Sequence, residues 1–250
     1  VEAFVMARSL KIYNSKEELS VDAAELFFSE AKKAIIDHGK FTVALSGGST
    51  PVPLFKLLSA AEYRSIIDWK YVHFFWADER CVPKDHSDSN FKLAYDLFLS
   101  KLPVPEQNVH RIRGELSAEE AATEYFTNLK KFFDQSEIPE FDLILLGVGS
   151  DGHTASIFPG SNSADIVSRN VISVYVKKMD SFRVSLSLQV LNNAAMVVFL
   201  VTGKSKALIV REILEDSNSS CPAARVIPAH GKAIWLIDKD AASLLDCLNK

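Results

Sequence analysis

The chain has 250 residues, 48% of them hydrophobic and 24% charged, with a formal net charge of −4 at pH 7. That balance suits a globular domain with a substantial core, leaves no basic footprint for nucleic acid, and includes no apolar run near the ~18 residues of a membrane span. Cys81, Cys221 and Cys247 have neither metal nor redox spacing, so a reducing compartment is expected: the cytoplasm, or an organelle reached by a transit segment removed upstream.

Residues 1–8 read as an extension on a single domain over 1–250, and Val1–Leu10 lacks the apolar core of a signal peptide. A helix is predicted over Ser15–Asp37, where Leu19, Ala23, Leu26, Phe27, Ala31 and Ala34 share a face and Gly39 stops it. A strand at Phe41–Leu45 precedes a helix at Pro51–Leu58, with Thr50 as N-cap and Pro51 as first helical residue. A strand at Val72–Trp76 and helices at Ser89–Leu99 and Ala118–Phe133 follow. Strands come next at Leu143–Leu146, Val171–Val176, Arg183–Leu188 and Met196–Val201, then a helix at Ser205–Leu214, a strand at Ala233–Ile237 and a helix at Ala241–Leu248. Strands alternating with helices predict an α/β fold, a mostly parallel sheet with helices on both faces. Ligands of such sheets bind beyond the carboxyl ends of the strands.

Four segments at such ends carry chemistry. Gly147-Val-Gly149-Ser-Asp-Gly152 satisfies the G-x-G-x-x-G dinucleotide pattern, but Pro159-Gly160 cuts any helix short. The acidic residue expected about 20 positions on is missing, since Ile172 stands there, and Asp151 inside the motif would repel a pyrophosphate. Asp151 and His153 supply two metal donors without a third, so no metal is expected. Ser46-Gly47-Gly48-Ser49-Thr50-Pro51 offers free backbone N–H groups suited to a phosphate, without the Gly-Lys-Ser/Thr of a Walker loop; a plain capped turn is the alternative. Asp78-Glu79-Arg80 ends an aromatic strand and is either a solvated loop or a site, and in Asp88-Ser89-Asn90 either Asp88 or Ser89 can cap the next helix. Lys177, Lys178, Arg183 and Lys206 are each unremarkable surface charges alone, but together they provide cations for a dianion. His38, His73, His86, His110 and His230 lack partner patterns and read as structural or exposed.

Over nearly its whole length the chain resembles the 6-phosphogluconolactonase family, within the larger group that includes glucosamine-6-phosphate deaminase. The resemblance rests on SGGSTP at Ser46–Pro51, DER at Asp78–Arg80, DSN at Asp88–Asn90 and GVGSDGHTASIFPG at Gly147–Gly160. Val201–Ala207 and Ile234–Ala242 add weaker support. The deaminases typically carry Tyr where this chain has Arg80 and an acidic residue where it has Phe158, so the resemblance sides with the lactonases. Two departures are that Lys177-Lys178-Met179 replaces a Lys-Pro-Pro segment, and that Val52 stands where some relatives place a Lys.

The resemblance implies a three-layer, Rossmann-like fold of the sugar-phosphate isomerase/deaminase and CoA-transferase-like type. It also implies hydrolysis of 6-phospho-D-glucono-1,5-lactone without metal or organic cofactor. His153 would be the general base; Asp151 would orient the imidazole or stabilise its protonated form; Arg80 would stabilise the oxyanion or bind substrate hydroxyls. Ser46, Gly47, Gly48, Ser49, Asp78, Asn90, Arg183 and Lys206 would bind the substrate and its phosphate. The expected partner is this small sugar-phosphate lactone, not nucleic acid or membrane, and the expected state a monomer or weak homo-oligomer. A deaminase/isomerase and a non-catalytic sugar-phosphate binding protein are the rival readings.

Overall fold

The computed structural model describes residues 2–5, 8–166 and 168–246. In chain order the elements begin with β1 (Glu2–Val5), β2 (Arg8–Tyr13), α1 (Lys16–His38), β3 (Phe41–Leu45), α2 (Val52–Leu58) and α3 (Ala61–Arg64). They continue with β4 (Val72–Trp76), β5 (Asp78–Arg80), α4 (Asn90–Leu97), β6 (Val109–His110), α5 (Ala118–Phe132) and β7 (Leu143–Leu146). The last are β8 (Val171–Val176), β9 (Ser181–Leu186), α6 (Leu188–Leu191), β10 (Met196–Val201), α7 (Ala207–Glu215), β11 (Lys232–Asp238) and α8 (Lys239–Ala242).

The central sheet has eight strands in the order β1-β2-β11-β10-β7-β3-β4-β6. All its pairings are parallel except β1 with β2. Every position of β3, β7 and β10 is buried, which a parallel sheet achieves only when both faces are covered. From β3 the chain steps outward through β4 to β6, then returns to lay β7 beside β3 and steps the other way through β10 to β11. The direction reverses between β3 and β7, so their carboxyl ends flank the crevice where such sheets bind ligands. The loops there begin at Ser46 and Gly147.

Helix ends follow the local chemistry of the sequence. Ser15 caps α1 by accepting from the Glu18 N–H, and Gly39 ends it at φ 84°. Ser117 and Glu120 form a reciprocal capping box on α5. Ser89, rather than Asp88, caps α4 by accepting from the Lys92 N–H.

Several expectations need correction. Arg8 is not part of an extension: it starts β2, is buried, and its guanidinium donates to the carbonyls of Ile213 and Ala224. Its Arg-Ser-Leu-Lys-Ile-Tyr pattern has too few apolar residues to announce a strand. Thr50 does not cap α2; Pro51 takes the cap position, with no side-chain cap bond. Val171–Val176 and the strand after it do not join the parallel sheet. They form an antiparallel hairpin that pairs with β5 in a separate sheet ordered β5-β9-β8. The last helix is short, Lys239–Ala242, and the end of the predicted Ala241–Leu248 segment lies outside the described residues, as does Cys247. Cys81 and Cys221 are free thiols.

Candidate active site

After β7 the backbone turns tightly enough for the Gly149 N–H to donate to the His153 carbonyl at 2.8 Å. A Cβ on Gly149 would lie 2.0 Å from His153 Nδ1 and 2.5 Å from Asp151 Oδ1, so only glycine lets the two side chains meet there. They meet at 2.5 Å, His153 Nδ1 to Asp151 Oδ1. The turn glycines thus serve a His–Asp contact rather than a pyrophosphate. With Nδ1–H given to the carboxylate, the lone pair of the neutral ring lies on Nε2. Phe158 covers the imidazole, ring centroids 4.3 Å apart and 26° from parallel.

Electrostatics at this turn oppose one another. Burial pushes the His153 pKa below its ordinary value, against the raising effect of Asp151. Burial would raise the Asp151 carboxyl, but hydrogen bonds from Lys178 and His153 win and hold it well below the usual carboxylate range. The pair is therefore an ionised carboxylate holding a neutral imidazole.

The loops after β3 and β10, together with β5 and β9, complete a cavity of ≈ 330 Å³. The loop after β3 contributes Ser46 to Pro51, and the segment after β10 contributes Thr202, Ser205 and Lys206. Asp78 and Arg80 come from β5, and Arg183 from β9, where it is the register partner of Arg80. Asn90 is buried and donates to the Asp78 carbonyl at 2.9 Å. A Cβ on Gly47 would fall 1.8 Å from Asn90 Oδ1, so this amide packs directly on the glycine loop. Asp78 accepts from Ser156 Oγ at 2.6 Å, which ties β5 to the turn that carries His153. Ser46 Oγ, Arg80 Nε and Arg183 Nε are buried with no hydrogen-bond partner, and all three residues line the cavity. Unpaired buried donors of this kind are costly unless a ligand meets them. Burial lowers the pKa of Arg183, with the charge of Arg80 adding to it, and burial also lowers that of Lys206.

All eleven residues singled out for the site line this cavity or touch one that does. Ser46, Gly47, Gly48, Ser49, Asp78, Arg80, Asn90, His153, Arg183 and Lys206 form its wall, while Asp151 stands behind His153. Lys178 does not line it; its ammonium bonds Asp151 instead. In the sequence Glu79 carries no signal beyond being one of three clustered charges. It is buried and accepts from the N–H groups of Arg80, Asn90 and Phe91 at 2.8, 2.7 and 2.8 Å and from Ser89 Oγ at 3.0 Å. It clamps the start of α4 to β5 and so sets where Arg80 and Asn90 stand. His38, His73, His86, His110 and His230 lie away from the cavity wall; His38 bonds Asp142 at 2.9 Å, and His73 faces His110 at 3.3 Å. Among the described residues no three His, Cys, Asp or Glu side chains gather in a metal-binding cluster.

The family model described as glucosamine-6-phosphate isomerases/6-phosphogluconolactonase matches residues 14–235, which include every residue of this cavity. The chain belongs to this family. Within the glucosamine-6-phosphate isomerase/6-phosphogluconolactonase family, the chloroplastic 6-phosphogluconolactonase 3 of Arabidopsis thaliana is 41% identical over 247 residues, 95% of this chain and 75% of that protein. The probable 6-phosphogluconolactonase 1 of the same plant is also 41% identical, over 95% of this chain and 93% of its own. Among solved structures, the 6-phosphogluconolactonase from Trypanosoma cruzi matches with a TM-score of 0.87 and 29% identity, covering 98% of this chain and 99% of that one. A monomeric glucosamine-6-phosphate deaminase shares the fold, with a TM-score of 0.80 at 21% identity over 94% of this chain and 99% of its own.

Proposed function

We propose that the chain is a carboxylic ester hydrolase that converts 6-phospho-D-glucono-1,5-lactone to 6-phospho-D-gluconate in the oxidative pentose phosphate pathway. The observation that carries this reading is the stacking of Phe158 on His153. A phenyl ring in that position desolvates a base and provides no second acid for ring-opening chemistry. The two Arabidopsis relatives, called 6-phosphogluconolactonases, agree with it.

His153 Nε2 takes a proton from water as the water oxygen attacks the lactone carbonyl. Asp151 holds the ring through Nδ1 and balances the imidazolium that forms. Arg80 stabilises the oxyanion or a substrate hydroxyl. The tetrahedral intermediate collapses by breaking the bond to the ring oxygen, and the imidazolium returns its proton to that leaving oxygen. The new acid ionises to solvent. Backbone N–H groups of Gly47, Gly48 and Ser49 hold the phosphate with Arg183 and Lys206, while Asp78 and Asn90 shape the sugar side of the cavity. This scheme calls on no metal or organic cofactor. The partner is this small lactone rather than nucleic acid or membrane; among the described residues no helix is long and apolar enough to cross one. The protein works as a monomer or weak homo-oligomer in a reducing compartment, the cytoplasm or an organelle.

The test is a purified-protein assay with freshly generated lactone, corrected for spontaneous hydrolysis, beside an ammonia-release assay on glucosamine 6-phosphate. Lactone turnover without ammonia is expected. Ammonia release would favour the deaminase, and binding of 6-phosphogluconate without turnover a sugar-phosphate binding protein.

A further inference from the structure

Lys178 sits at the turn between β8 and β9, yet it reaches back to the catalytic turn. Its ammonium donates to Asp151 Oδ2, while Oδ1 of the same carboxylate accepts from His153 Nδ1. The ammonium also stands 5.0 Å from the centroid of Phe158, on whose ring His153 is stacked. Lys178 is thus joined to the imidazole by two routes, one through a carboxylate and one through a phenyl ring. The turn is built to hold it: Lys177–Met179 form a single 3-10 turn closed by Asp180 at φ 44°, and Tyr175 Oη donates to Asp180 Oδ1 at 2.5 Å.

We infer that Lys178 is a positioning residue of the His153–Asp151 pair, fixing the carboxylate and keeping the imidazole unprotonated, rather than a ligand of the substrate phosphate. The inference rests on the hydrolase reading, in which His153 must be neutral to accept a proton. Without Lys178 the ionised Asp151 would face His153 alone, and a neutral Asp⁻–His⁺ pair would become the resting state at higher pH. With Lys178 present, protonating His153 leaves a net positive cluster, so the free base persists to lower pH. The other charges facing His153 act alongside this contact. Asp78 across the β5 side favours the imidazolium, Lys178 opposes it, and Arg80, Arg183 and Lys206 add positive charge around the same cavity.

The test compares wild type with Lys178→Met, which removes the charge but keeps a long unbranched side chain, and Lys178→Arg, which keeps the charge. The Lys178 side chain is 51% exposed, so neither change disturbs the core. NMR titration of the His153 ring proton, assigned by its loss in His153→Gln, reads the imidazole directly and needs no turnover. In Lys178→Met the titration midpoint should move to higher pH, and in Lys178→Arg it should return toward wild type. The acid limb of the kcat/KM profile should move the same way, with KM for the lactone little changed. An unmoved midpoint, or a raised KM with an unmoved pH profile, would overturn the inference and make Lys178 a surface group or a phosphate ligand. Wild-type protein that titrates as described but does not hydrolyse lactone would sink the hydrolase reading alone.

Discussion

Gly149 and Phe158 hold His153 from two sides, one by having no side chain and the other by having a large flat one. The same division recurs across the cavity, where Gly47 makes room for the Asn90 amide and Arg80 pairs in register with Arg183. Two neighbouring guanidiniums, each with a buried and unpaired Nε, are tolerated when an anion joins them. Arg183→Ala should therefore raise KM while kcat changes little, because a phosphate contact is equally strong in ground and transition states. Steady-state kinetics on fresh lactone checks this, and an unchanged KM would remove Arg183 from the phosphate site. At this scale much was legible: Asp-Gly-His, the glycine loop and Asp-Glu-Arg announce themselves by residue type at strand ends. The partners of those residues were not. Lys178 lies 27 positions from Asp151, and only the hairpin geometry, set by a left-handed Asp180, brings it back.

At the scale of elements, the junction between β4 and β5 decides where the charged triplet points. The strand leaves the parallel sheet at Ala77, whose N–H donates to Leu45 O at 2.8 Å and whose carbonyl accepts from Leu186 N at 2.7 Å. One residue earlier, Tyr125 from α5 satisfies both backbone groups of Trp76: its hydroxyl accepts from the N–H at 3.0 Å and donates to the carbonyl at 2.9 Å. This tyrosine is buried, so Tyr125→Phe leaves two backbone groups without partners and should cost about 1–3 kcal/mol of stability. Urea unfolding measures it; an unchanged midpoint would mean that water or a backbone shift replaces the hydroxyl. The main helices and the all-apolar strands were legible because their periodicity extends over many residues. The three-residue β5 was not, since nothing in Asp-Glu-Arg separates a strand that pairs with β9 from a charged loop. Nor was the second sheet, because apolar segments such as Val171–Val176 look alike whether their neighbours run parallel or antiparallel.

For the whole molecule, the site depends on a sheet whose far edge carries a titratable pair. His110 on β6 stacks on Phe75 at 4.3 Å and faces His73 at 3.3 Å. Burial first, and the charge of His73 second, push its pKa down to about 4. An unfolded imidazole takes its proton near pH 6.5. Between about 6.5 and about 4 the unfolded chain thus binds more protons, and stability falls as the pH drops through that window. His110→Gln should flatten the dependence of Tm on pH there, and an equally steep dependence would assign the acid sensitivity to other groups.

In the proposed mechanism a desolvated His153, held by Asp151 at the switch point of the sheet, activates water. The most direct measurement is the rate of lactone hydrolysis by His153→Ala, with spontaneous hydrolysis subtracted and folding confirmed by an unchanged circular dichroism spectrum. A loss of roughly 10²–10⁴-fold in kcat is expected, the share of a positioned general base. Turnover close to wild type would contradict it and take water activation away from His153.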